Sequence, residues 1–199
     1  NRKAIFDKNG ESHYDNISAF IKSMRGSDPD AAIHYLARLL EAGDMTSAIR
    51  RLLVCAAEDV GLADPNALNV AVSCALAVER IGMPEAQIIL AEAVNYIASA
   101  PKSNASYMSI DNAMKAVKDV KISHIPIHLK DAHYKSAGRL GHGEGYKYAH
   151  DYPNHYVEQQ YLPYELKGKT FYEPSWNGYE AKIREHMKRI KTEARNNEG

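Results

Sequence analysis

The periodicity of the chain breaks near residue 122, and that break limits what it can fold into. Before it, apolar residues recur at three- and four-residue spacing, the signature of amphipathic helices. After it, from Tyr134 to Tyr179, stand nine of the thirteen tyrosines, with Pro153, Pro163 and Pro174 and glycines at 138, 141, 143, 145, 168 and 178. Aliphatic residues are sparse there, and neither a continuous helix nor long alternating strands fits that punctuation. The pattern predicts a helical body followed by an extended, tyrosine-anchored arm over about 134–178, with a short hairpin near "GKTFYEP".

Within the body the helices are separable by their stops and caps. His13 to Met24 carries Tyr14, Ile17, Phe20, Ile21 and Met24 on one stripe. A second helix, Ala31 to Ala42, ends at Gly43. Ser47 to Asp59 is apolar nearly all round in its middle and closes at Gly61. Asp64 followed by Pro65 opens a helix to about Ile81, and Pro84 opens the next, to about Ser99. Ser103 or Asn104 caps a further helix to about Val120, and Tyr179 to Glu193 forms the last, striped by Ile183, Met187 and Ile190. Short connections between such segments favour antiparallel helical hairpins. The expected fold is all-α, an irregular bundle of antiparallel helices.

Lysine plus arginine and aspartate plus glutamate number 25 each, so no global basic field draws the chain to nucleic acid. No apolar run is long enough to cross a bilayer, and no membrane contact is expected. Cys55 and Cys74 sit in apolar helical stretches and read as small buried hydrophobes in a cytoplasmic setting. The chain opens on Asn1, as a fragment of a longer protein would.

Several stretches raise chemistry. "KSMRGSDPDAA" (22–32) places two cations, two hydroxyls and a glycine before a helix, as a phosphate cradle does, but Ser27 or Asp28 capping a helix with Pro29 in its first turn explains the same residues. No stretch matches the GxxxxGK[ST] phosphate loop, and "GHGEGYKY" lacks the flanking strand and helix. His142, Glu144, His150, Asp151 and His155 crowd within fourteen residues, but the histidines stand eight and five apart with no cysteine near, so no metal site is expected. Glu58 and Asp59 lie where a helix ends. Acids there oppose the dipole and call for a basic partner such as Arg50, Arg51 or Lys102, giving an ion network of Arg51, Glu58, Asp59 and Lys102. No catalytic constellation is present. Direct single-stranded DNA binding is the alternative function: the arm interleaves tyrosines with Lys135, Arg139, Lys147, Lys167 and Lys169, and Lys22, Arg25, Arg50 and Arg51 supply a basic face. The nucleic-acid candidates are therefore Lys22, Arg25, Arg50, Arg51 and Lys147.

Three stretches together, "HYDNISAFIKSMRGSDPDAAIHYLARLLEAGD", "IRRLLVCAAEDVGLADPNAL" and "APKSNASY", resemble the C-terminal half of the RarA (MgsA) proteins, AAA+ ATPases related to clamp loaders and to the Werner-helicase-interacting protein. "GYKYAHDYP" and "YLP" fit the same family's tail, so the likeness runs over about residues 5–180. It implies a collar-like helical domain that drives homotetramer assembly, with residues 1–45 as the end of the ATPase lid and 46–199 as the oligomerisation domain. It implies a parent that is a DNA-dependent ATPase acting at replication forks, in recombination and restart, nucleoid-associated in a bacterial cytoplasm. Single-stranded-DNA-binding protein and the replication machinery are the implied partners. ATP and Mg²⁺ are implied for the parent, whose phosphate loop lies upstream, and no cofactor is expected here. "KSMRGSDPDAA" then becomes a joint between lid and collar.

Overall fold

A computed structural model describes residues 10–119, 123–133 and 138–199. Among them are seven α-helices and no strand: α1 Glu11–Arg25, α2 Pro29–Glu41, α3 Met45–Cys55, α4 Asn66–Ile81, α5 Ala86–Ser99, α6 Ala105–Asp119 and α7 Glu180–Asn197. Tyr134, Lys135, the Arg139 side chain and the expected helix end at Val120 lie outside the described residues. The chain divides into two compact units. Unit 1 runs to Met108 and takes in Pro174–Ala181, whereas unit 2 comprises Ser109–Glu173 and Lys182–Gly199.

Unit 1 is the helical body. α1 packs on α2, α4 on α5, and α2 on α5. Their inward stripes close one core through Phe20, Met24, Leu39, Leu52, Leu90 and Ile97, all fully buried. Side chains of this size contribute about 1.5–3 kcal/mol each when removed from water. Ala67, Ala71, Ala86 and Ala93 are buried on α4 and α5, and such small residues let two backbones approach closely.

The helix ends follow the sequence with two local departures. Asp28 accepts a hydrogen bond from the Ala31 amide at 2.9 Å, and Pro29 occupies the first turn of α2, so the capped joint forms as expected. The left-handed residue of that joint is Ser27 (φ 61), however, and not Gly26 (φ −81). The Ser27 amide bonds to Met24 O and the Asp28 amide to Ser23 O, the paired bonds that end a helix. Gly26 is needed for space instead, because a Cβ there would lie 3.0 Å from Lys22 O. The second departure is in the third helix, which begins on the cap Asp44 and passes at Ala56–Val60 into a single π turn. One extra residue in that turn re-aims the side chains that follow it.

Unit 2 contains the arm. Short 3₁₀ turns occur at Ile127–Leu129, Ala149–Asp151, Pro153–His155 and Tyr164–Leu166, and "GKTFYEP", where a hairpin was expected, is irregular backbone. Gly168 at φ 81 and Pro174 break the alternation that a strand pair requires. α7 keeps its predicted stripe, with Ile190 buried and Ile183 and Met187 half-buried.

Pro174–Ala181 returns to unit 1 through a close approach. The Tyr179 amide donates to Ala63 O at 2.8 Å, and the Asn177 side chain donates to Lys102 O at 2.9 Å. Gly178 (φ 55) makes room for this, since a Cβ there would fall 2.2 Å from Ala63 O and 2.8 Å from Pro101 Cγ. Gly178→Ala is therefore expected to destabilise unit 1 by about 1–3 kcal/mol, through strain and a displaced segment. Urea unfolding followed by circular dichroism measures this, and an unchanged midpoint would refute the close approach.

Candidate functional site

The π turn gathers most of the charged residues that the sequence singles out in unit 1. Its Asp59 side chain is 7% exposed and accepts from Arg25 Nε at 2.8 Å, and Glu58 lies 3.8 Å from the same guanidinium. The Asp59 hydrogen bond, opposed in part by burial, holds the Arg25 guanidinium above its ordinary range. The base that meets the acidic pair is thus Arg25 from α1. Arg51, on the turn of α3 preceding the pair, makes no ion pair among the described residues, nor does Arg50. Sequence reasoning missed Arg25 here because it is 34 positions away from Asp59 and no local pattern joins them.

Lys102 is near this centre by a different route. Its ammonium donates to Ser27 Oγ (3.1 Å), Ala98 O (3.2 Å) and Ala100 O (2.6 Å), which uses all three N–H bonds. Burial lowers its pKa, and the nearby Cys55 and Asp59 work against that. Cys55 is pushed up to about 12, chiefly by burial and then by Asp59, and Cys74 to about 11 by burial. Burial thus disfavours the thiolate at both sites.

"KSMRGSDPDAA" is consumed by structure in the same way. Ser23 Oγ donates to Ala19 O at 2.6 Å, Ser27 Oγ accepts from Lys102, Asp28 caps α2, and Arg25 faces Asp59. Lys22 and Asp30 are exposed and are given no such role. A phosphate would have to displace these bonds, and the stretch acts as a helix joint.

Ser103, one of the two cap candidates with Asn104, serves the start of α6 and has a second duty. Its hydroxyl accepts from the Ala105 amide at 3.2 Å at the start of α6 and donates to the fully buried Glu180 carboxylate. The Ser175 amide donates to the same carboxylate at 2.8 Å. Glu180 gave no sequence signal beyond its place at the start of a helix.

In unit 2, Lys147 is exposed, and its backbone is gripped by Gln159. The Lys147 amide donates to Gln159 Oε1 (3.2 Å), and Gln159 Nε2 donates to Lys147 O (2.8 Å) and to Tyr161 Oη (2.7 Å). His150 and His155 meet through their Nδ1 atoms at 2.6 Å. Among the described residues, no group of three or more His, Cys, Asp or Glu is placed to hold a metal ion. No helix of the described residues is long and apolar enough to cross a membrane.

Arg25→Ala removes the partner of a buried carboxylate and is expected to destabilise the protein by about 1–3 kcal/mol. Adding Asp59→Asn should recover part of that loss, because the stranded charge is gone. A double-mutant cycle in urea tests the coupling, and strictly additive losses would refute it.

The description "MgsA AAA+ ATPase C terminal" matches residues 26–191. The chain is 54% identical over 172 residues to replication-associated recombination protein A of Bacillus subtilis, covering 86% of this chain and 41% of that protein. It is 41% identical over 188 residues to the Escherichia coli protein of the same name, covering 94% and 42%. It is 37% identical over 175 residues to the ATPase WRNIP1 of Dictyostelium discoideum, covering 85% and 20%. The chain therefore spans less than half the length of these relatives. With an all-helical fold and a match over most of its residues, the chain belongs to the MgsA AAA+ ATPase C-terminal family.

Proposed function

We propose that this chain is the assembly module of a AAA+ ATPase that acts in replication-associated recombination, and that it joins four copies of the parent into a homotetramer. ATP and Mg²⁺ act in the parent's ATPase module, which this chain positions. The parent's DNA dependence, its action at stalled forks, its partnership with single-stranded-DNA-binding protein and the replication machinery, and its place on the nucleoid belong to the same proposal. The names of the relatives support the process, and the surface of α6 supports the assembly role.

α6 is a fifteen-residue helix that buries none of its residues. Tyr107, Ile110, Met114 and Val117 nevertheless follow a three-four-three spacing along it, and they are 43%, 59%, 51% and 70% exposed. That spacing is the a/d seam of paired helices. A helix of this length is marginal in water without packing, so its apolar seam needs a cover. A second copy provides a self-complementary one, because the same stripe meets itself across a two-fold axis. α4 adds an outward stripe in unit 1, Leu68, Val72 and Leu76, between 42% and 60% exposed.

Light scattering on the 199-residue chain tests the proposal. A tetramer is expected, and Ile110→Asp with Met114→Asp should lower the mass at least to a dimer while far-ultraviolet circular dichroism is kept. A monomer across a hundredfold concentration range, or an unchanged mass in the double variant, would overturn the role given to α6.

A further inference from the structure

Unit 2 differs from unit 1 in charge and in aromatic content. It carries 15 lysines and arginines against 11 aspartates and glutamates, whereas unit 1 carries 10 against 14. Eight of the thirteen tyrosines and seven of the nine histidines fall in unit 2. The neutral total hides a polarised chain, and charge asymmetry of this kind points to an anionic partner for the basic part.

Within unit 2, a groove of about 740 Å³ runs between the extended stretch 156–161 and α7. Tyr156, Tyr161 and Met187 line it with apolar and aromatic surface, and Lys191 and Arg195 stand on its helical wall. Lys188, Lys191 and Arg195 are spaced i, i+3 and i+7, so they form one cationic stripe along α7. Lys191 and Arg195 are about 6 Å apart along the helix axis. Gln159 ties the Lys147 backbone and the Tyr161 hydroxyl to this groove. The hydroxyl of Tyr161 is thereby held while the residue stays 50% exposed. One carboxylate, Glu158, faces Arg195 at 3.3 Å, an exposed contact that an incoming phosphate can replace.

We propose that this groove binds single-stranded nucleic acid, with a base stacked on Tyr161 beside Tyr156 and the backbone phosphates on Lys191, Arg195 and Lys147. The partner chemistry follows from the pairing of aromatic faces with a cationic row: stacking needs an exposed base, and the cations need a repeating anion. A duplex offers phosphates but no free base face, and an acidic peptide offers carboxylates but no flat π system. The groove is lined by the 156–161 stretch and α7 and by no residue of the α6 seam, so it adds a function to the assembly role.

Fluorescence anisotropy of a labelled fifteen-residue oligothymidylate with the 199-residue chain tests it, at salt between 50 and 200 mM. Binding is expected to fall with salt, with a log–log slope of about −0.7 for each phosphate neutralised. Lys191→Ala with Arg195→Ala should make that slope shallower by about 1.4. Tyr161→Ala should weaken binding about tenfold with little change of slope, and Tyr161→Trp should retain it. The Trp variant guards against a folding artefact, and an unchanged mass by light scattering separates this outcome from failure of the assembly role. The proposal is overturned if the oligomer does not bind at 50 mM salt, if Tyr161→Ala binds as well as the parent chain, or if a duplex or an oligoglutamate of equal charge competes as well as the single strand.

Discussion

Ser103 joins three stretches of chain that are far apart in sequence, and the helical body is arranged around that junction. Its amide donates to Asp59 O at 2.8 Å, at the π turn, while its hydroxyl donates to Glu180 at the start of α7 and accepts from Ala105 at the start of α6. Gly61 passes so close that a Cβ would lie 3.1 Å from Ser103 O. A buried carboxylate such as Glu180 is costly unless its oxygens are met by donors, and Ser103 Oγ and the Ser175 amide are two such donors. The hydrogen bonds thus have a specifying role: they hold the first residues of α6 and α7 beside the π turn within unit 1.

The same neighbourhood explains why the acidic pair is structural. A π turn displaces Glu58 and Asp59 from the face that continued α-helix would give them, and Arg25 closes on them from α1. Lys102 is spent on the end of α5, where positive charge meets unpaired carbonyls, and on the Ser27 hydroxyl of the first joint. With the donors of Lys102 and the Nε of Arg25 engaged, an anion in solution finds little free cation at this joint. The affinity for phosphate that the local sequence suggests is satisfied internally.

What was legible in the sequence follows from the range of the interactions involved. Helix positions, the Asp28 cap, the Pro29 start and the α7 stripe are encoded within a few residues, and they stand where the periodicity places them. The partner of Asp59, the burial of Glu180 and the close approach at Gly178 depend on contacts across 34 to 115 positions, which no local pattern carries. Ser27 shows an intermediate case. The positive φ falls on Ser27, while a Cβ at the neighbouring Gly26 would lie 3.0 Å from Lys22 O, which favours glycine there. The hairpin expected at "GKTFYEP" failed for a local reason, since Gly168 and Pro174 bound a stretch that has no partner strand among the described residues.

A tyrosine-rich segment was ambiguous in sequence because one ring can anchor an irregular chain or stack on a base. The burial of the tyrosines differs residue by residue. Tyr156 is half-buried, and burial together with Glu158 holds its phenol above the ordinary range, so it is neutral packing material with one edge on the groove. Tyr161 accepts a hydrogen bond at its hydroxyl from Gln159, and the residue is half exposed. Pinning a ring at its polar end while its face stays wet lowers the entropy lost when something stacks on it, without satisfying the face in advance. The outward aliphatics of α4 and α6 differ in kind: they carry no polar handle, and only another apolar surface improves their state. The chain thus carries two kinds of exposed surface, the aliphatic stripes of α4 and α6 and the cationic, aromatic surface of the 156–161 stretch and α7, and these answer to two physical forms of attraction, one insensitive to salt and one governed by it.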